Sequence, residues 1–144
     1  MSRTTLDTAA LAHELRLAVM RFSRRLRSQR VDTSVTLTHL SAMSTLRRHG
    51  AMSAGELAGH ERVQPPSMTR VVVALENMGM VTRRPHPTDG RQVVIDLTPA
   101  AHELLDAEAR AREAWLSGRL EQLSPQEREI LQDAATIMDK LASG

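Results

Sequence analysis

The chain has 144 residues, 41% of them hydrophobic and 1% aromatic, with no cysteine and a net charge of +2. That is one domain's worth of chain with a modest core of Leu, Val, Ala and Met, and a partner subunit would help to bury the remainder. Disulfides, thiolate metal sites and cysteine-oxidation switches are excluded; with no apolar run of about 18 residues and no apolar stretch near Met1, a membrane span and a secretory leader are not expected, and the chain is expected to be cytoplasmic. The charge is uneven, with 14 Lys and Arg against 8 Asp and Glu in residues 1–98, and 5 against 9 in residues 99–144. An anionic partner would select such a basic first part, although basic stretches also occur without one.

Residues 1–5 read as a frayed arm. From about Leu6 to Arg30, Leu11, Leu15, Val19, Phe22 and Leu26 recur at helical spacing and predict a long amphipathic helix. Its other positions carry Arg16, Arg21, Arg24, Arg25, Arg27 and Arg30, a run that suits a solvated face as well as attraction to phosphates or an acidic ligand. Val31–Thr36 is a connector. A second helix is expected from Thr38, as N-cap, to His49, with Gly50 as its stop. Leu40, Met43 and Leu46 face its core, and Arg47 and Arg48 suit the negative end of its dipole. Thr36 and Thr38, near the start, are open to a phosphate contact. Ala51-Met52 reads as a short strand.

Ser53 with Glu56 three residues on has the capping-box spacing and starts a short helix over 53–60, closed by Gly59 and the polar run after it. Val63-Gln64-Pro65-Pro66 opens the next helix, since proline's missing N–H has no intrahelical partner in the first turn. It runs to about Met78, with Gly79 as the stop. With about 100° of turn per residue, Met68, Val71, Val72, Leu75 and Met78 fall on one side, the buried one. The other side presents Pro66, Arg70, Val73 and Asn77, flanked by Ser67 and Thr69. An arginine can bond guanine through two N–H groups and a valine can meet a thymine methyl in a major groove, although any amphipathic helix has a polar outside.

Val81–Arg84 and Gln92–Leu97 read as strands, joined by Pro85-His86-Pro87-Thr88-Asp89-Gly90-Arg91, rich in turn formers. A hairpin with Arg83, Arg84, His86 and Arg91 beside a helix-turn-helix is a winged helix. Its tip would carry Arg91 into an adjacent minor groove, with Asp89 close enough to pair with it; such an exposed pair alone is worth little.

Thr98-Pro99 starts a helix reaching about Gln122, with Leu104, Leu105, Ala109, Leu116, Leu120 and Leu123 as its buried stripe. Ser124-Pro125-Gln126-Glu127 starts the last helix, which carries Ile130, Leu131, Ala134, Ile137, Met138 and Leu141. Two such stripes fit packing against a second subunit, and equally closing back on their own lobe.

Enzymatic chemistry is not expected. No G-x-S-x-G elbow and no Gly-rich phosphate loop occurs, and the six histidines form no pair or cluster at metal-ligand spacing.

The sequence resembles the MarR (multiple antibiotic resistance regulator) family of bacterial transcription factors over nearly its whole length. The resemblance is carried by Leu37-Thr38-His39-Leu40, the segment SMTRVVVALENMGMVTRR, the wing Asp89-Gly90-Arg91, and Leu97-Thr98-Pro99. It implies a mainly α fold with a small β-hairpin wing: a winged helix-turn-helix lobe over residues 36–98, and a helical dimerisation lobe from residues 1–35 and 99–144. It further implies a homodimer on a pseudo-palindromic operator in double-stranded DNA, often released by a small aromatic or phenolic ligand. The candidate DNA contacts are Thr38, Gln64, Pro66, Ser67, Thr69, Arg70, Val73, Arg83, Arg84, Asp89 and Arg91. Effectors in the family sit where the first helices meet the DNA-binding lobe, which here would draw on Arg16, Phe22, His39, Met43 and Arg47. An arginine there could hold a carboxylate or phenolate while Met and Phe pack the ring. No cofactor or metal is expected. The expected function is a dimeric, sequence-specific transcriptional regulator of the repressor kind; a winged-helix module for a protein partner and a ligand-blind DNA binder are the alternatives.

Overall fold

The computed structural model describes residues 7–144, so the expectations for residues 1–5 and for a helix start at Leu6 lie outside the described residues. The elements in order are α1 (Thr8–Arg27), α2 (Leu37–His49), β1 (Met52–Ser53), α3 (Ala54–Glu61), α4 (Pro65–Asn77), β2 (Val81–Pro85), β3 (Val93–Leu97), α5 (Pro99–Glu121) and α6 (Pro125–Ala142). They form two compact units, one from residues up to Arg30 together with Arg110–Gly144, the other Val31–Ala109. These limits differ from 35/36 and 98/99 because Val35, Ala101 and Leu105 all belong to the core of the second unit.

That second unit is the winged helix. Its core is aliphatic and sulfur-bearing: Met43, Leu57, Met68, Leu75 and Ile95 are among its fully buried side chains. On α4 the stripe predicted from spacing is the buried one, with Met68, Val72 and Leu75 inside and Val71 and Met78 packed partly exposed at its edge. The sheet is antiparallel in the order β1-β3-β2, and β1 lies one residue later than Ala51-Met52. In the hairpin, Arg83 pairs with Ile95 and Arg84 with Val94. Successive strand residues face opposite sides, so the two arginines leave the sheet in opposite directions.

The helix ends show where local chemistry departs from the expected reading. Thr36, not Thr38, caps α2: its hydroxyl accepts the His39 N–H at 3.1 Å, and His39 Nδ1 accepts the Thr36 N–H at 3.1 Å. The reciprocal pair needs an acceptor at the third helical position, and a neutral imidazole supplies it as a glutamate would. Ser53 caps α3 through the Glu56 N–H, but the Glu56 carboxylate returns only to the Ser53 hydroxyl, so the box is not reciprocal. The closing residue of α3 is Arg62 at φ 55°, the last of the polar run expected to end it, while Gly59 stays inside the helix. Gly79, at φ 75°, ends α4 as expected, with its N–H on the Glu76 carbonyl and the Met80 N–H on that of Leu75.

Glu108 is a further departure. Over the first half of α5 the buried residues are Ala101, Leu105 and Glu108, so the predicted Leu105 is inside and an acid is buried beside it. Its carboxylate accepts the Val31 N–H with both oxygens at 3.1 Å and the Asp32 N–H at 3.2 Å, which satisfies the charge with backbone donors. Leu104 and Ala109, assigned to the stripe, are only partly buried.

In the first unit neither α1 nor α6 buries a residue completely. Leu11, Phe22, Ile130, Ile137 and Leu141 are all exposed. The reciprocal box of Ser124 and Glu127 starts α6 as predicted. Among the described residues no helix is long and apolar enough to cross a membrane.

Candidate nucleic-acid interface

Helix α4 presents the expected face to solvent. Gln64, Pro66, Ser67, Thr69, Arg70 and Val73 are all exposed, Val73 by 41%. The Thr69 hydroxyl donates back to the Pro65 carbonyl at 3.0 Å, which leaves its oxygen as an acceptor toward solvent. Arg70 makes no hydrogen bond or ion pair among the described residues and stands out from the fold. A guanidinium with all five donors free is suited to a base edge or a phosphate.

The wing is organised by hydrogen bonds within its loop. His86 and Gln92 close it through the His86 N–H and the Gln92 carbonyl at 3.0 Å. The Nδ1 of His86 then accepts the N–H groups of Thr88 at 3.2 Å and Asp89 at 3.1 Å. His86 thereby shapes the loop as a hydrogen-bond acceptor. Asp89 does not pair with the Arg91 guanidinium. Its carboxylate accepts the Arg91 backbone N–H at 3.1 Å, as a turn-forming aspartate does, and the Arg91 side chain is left exposed.

Arg83 and Arg84 are both engaged within the protein. Arg83 Nε donates to Glu76 at 3.0 Å, tying β2 to the end of α4, and Arg84 lies 3.4 Å from Asp96 across the hairpin. Each pair is partly open to solvent, so its net worth is small, and each removes charge that a phosphate would otherwise see. Thr38 sits on the exposed first turn of α2 with its hydroxyl not used as the cap.

The residues expected at an effector site are divided. His39, Met43 and Arg47 lie on α2, four residues apart, while Arg16 and Phe22 lie on α1 in the other unit. Met43 has no exposed surface and is core, which corrects its assignment to a ligand cleft. Arg47 is paired with Asp106 at 2.6 Å. Arg16 donates to the Met20 sulfur at 3.5 Å. His39 holds the cap of α2, and desolvation there pushes its pKa below the usual 6.5.

Other features stand outside the sequence expectations. Phe22 meets Trp115 with ring centroids 6.3 Å apart, and the guanidinium groups of Arg25 and Arg119 lie 5.9 and 5.4 Å from the Trp115 ring. His49 and His60 stack at 4.4 Å. Arg62 turns the chain out of α3, and the carboxylate of Glu61, the last residue of that helix, accepts the hydroxyls of Ser41 at 2.9 Å and Thr45 at 2.9 Å. Only Glu108 had a readable signal, as the acid continuing the 101, 105 helical spacing.

The model of the MarR family matches residues 35–93, the stretch holding α2 to the wing. An uncharacterised HTH-type transcriptional regulator of Mycobacterium bovis is 52% identical over 130 residues, 90% of this chain and 91% of that protein. The HTH-type transcriptional repressor NicR of Pseudomonas putida is 31% identical over 100 residues, 69% of this chain and 63% of that protein. Among solved structures, an oligodeoxyribonucleotide-bound MepR mutant of S. aureus superposes with a TM-score of 0.70 at 18% identity, over 92% of this chain and 96% of that one. At that identity the likeness speaks for the fold alone. With the half-identical relative spanning both chains almost completely, and a solvent-facing helix and wing where the family model lies, the chain belongs to the MarR family and is a winged helix-turn-helix, DNA-binding transcriptional regulator.

Proposed function

We propose that the chain is a cytoplasmic, dimeric, sequence-specific repressor whose operator affinity falls when a small aromatic acid binds. The observation that carries the DNA-reading part is the free Arg70 on the outer face of α4, in one compact unit with the free Arg91 of the wing. The first can address a major-groove edge and the second a neighbouring minor groove. Thr38, Gln64, Ser67 and Thr69 supply further polar contacts, and Pro66 and Val73 apolar ones. Arg83 and Arg84 act by setting the wing through Glu76 and Asp96.

Dimerisation through the helical unit is supported by the apolar surface left uncovered there. Leu11, Leu15 and Phe22 on α1 and Ile130, Ile137 and Leu141 on α6 are each exposed by 38% or more. An apolar surface of that kind is characteristic of an interface. A two-fold pair would set two recognition helices one DNA turn apart, about 34–36 Å. The repressor reading follows the name of the Pseudomonas putida relative. The effector reading rests on the Phe22–Trp115 pair with Arg25 and Arg119, rings and cations that an aromatic carboxylate needs.

Selection of bound duplexes from a random DNA pool tests this. A recovered site with two-fold symmetry and half-sites about 10–10.5 base pairs apart is expected. Recovery of no enriched sequence, or of one asymmetric half-site, would contradict the dimeric reader.

A further inference from the structure

We propose that Arg62, the residue that closes α3, is a phosphate contact at the entrance to the recognition helix; this rests on the DNA-binding reading above. The start of a helix ordinarily offers free N–H groups to an anion. Helix α4 offers only that of its N-cap, Gln64, for which no partner is seen among the described residues. Its first two positions are Pro65 and Pro66, which carry no N–H, and the N–H groups of Ser67 and Met68 both go to the Gln64 carbonyl, at 3.0 and 3.2 Å. Gln64 makes no side-chain cap, and the Val63 N–H is spent on the Ala58 carbonyl at 3.1 Å. A phosphate beside this end of α4 therefore relies on side chains for all but one of its contacts.

Arg62 is the cation placed there. It is exposed and makes no side-chain hydrogen bond or ion pair among the described residues. Its acidic neighbour does not neutralise it, because the Glu61 carboxylate is turned to the hydroxyls of Ser41 and Thr45 on α2. The backbone supplies an independent argument. Arg62 sits at φ 55° and ψ 44°, the left-handed region, which glycine adopts freely and a residue with a Cβ adopts at a cost. The other positive-φ residues of the described chain are Gly50 and Gly79, which meet the same demand without that cost. Strain of this kind is held where a side chain has a use.

The geometry also makes the test clean. Arg62→Gly suits the left-handed backbone, so the variant melts at or above the wild-type temperature while losing the cation. Binding of the selected duplex and of an unrelated duplex is titrated across salt concentrations for wild type, Arg62→Gly and Arg62→Lys. The expected result for Arg62→Gly is weaker binding to both duplexes by a similar factor, with the slope of log affinity against log salt reduced by about 1. Arg62→Lys is expected to keep the slope. Unchanged affinity and slope in Arg62→Gly would overturn the assignment of Arg62 and leave the DNA reading standing. A wild-type chain whose duplex affinity ignores salt would overturn both.

Discussion

Arg70 and Arg91 are uncommitted, unlike the arginines of the strand and of the Asp106 pair. Of the seven arginines in the winged unit, Arg47, Arg83 and Arg84 are held by Asp106, Glu76 and Asp96, whereas Arg48, Arg62, Arg70 and Arg91 stand free among the described residues. Periodicity alone made the exposure of Arg70 legible, since a residue opposite Met68, Val72 and Leu75 has nowhere to go but solvent. The ion pairs of Arg83 and Arg84 were not legible, because they depend on strand register and on the reach of Glu76 from another element. Arg70→Ala is expected to weaken binding of the selected duplex by about 1–3 kcal/mol and to relax the base preference at one position. Arg91→Ala should weaken it with little change in preference in the major groove. Fluorescence anisotropy on matched and single-substituted duplexes measures both, and wild-type affinity in the two variants would contradict the assignments.

His39 carries the second expectation at this scale. Desolvation lowers its pKa in the folded chain, and the neutral ring accepts the Thr36 N–H in the cap of α2. As pH falls through about 6.5 the unfolded chain takes up the proton first, so the stabilisation is present above that pH and is lost below it. Thermal melts between about pH 5 and 7.5 should show stability declining on acidification, and His39→Gln, which keeps an acceptor, should flatten that decline. An unaltered pH profile in the variant would remove the role given to the ring.

At the scale of elements, the helix starts and the hairpin were readable because each rests on a local pattern. Ser124 with Glu127, Pro65 at a first turn, and the Pro, Asp and Gly of the wing loop all act within a few residues of themselves. What was not readable was either non-local or rested on an uncommon local partner. Thr38 lost the cap of α2 to Thr36 because His39, not an acid, completes the box. The stripe of α5 includes the predicted Leu105 but also a buried acid, Glu108, which reaches the backbone of Val31 and Asp32, residues distant in the chain. Charged hydrogen bonds of this kind are worth about 1.5–3 kcal/mol. Glu108→Ala is therefore expected to lower stability by about that amount, and Glu108→Gln by less, in urea unfolding followed by circular dichroism. Equal midpoints for Glu108→Ala and wild type would show that water replaces the carboxylate at no cost.

For the whole molecule, charge turns out to be a local rather than a global guide. The basic excess of residues 1–98 belongs largely to the arginines before Val31; residues 31–109 hold seven arginines against nine acids. A winged unit without net positive charge binds a polyanion only if its free cations are gathered where the phosphates lie, which is what Arg62, Arg70 and Arg91 are expected to do. Composition showed that the core would be small and aliphatic. It did not show that α1 and α6 leave their apolar sides uncovered, since a stripe on a helix looks the same whether its partner is its own chain or a second one. The most direct measurement is the affinity of the wild-type chain for the selected duplex, titrated from low to physiological salt and beyond. A steep linear fall of log affinity with log salt, its slope reduced in Arg70→Ala and Arg91→Ala, is the predicted result. A flat dependence, or the same slope in all three proteins, would contradict a grip on DNA through helix and wing.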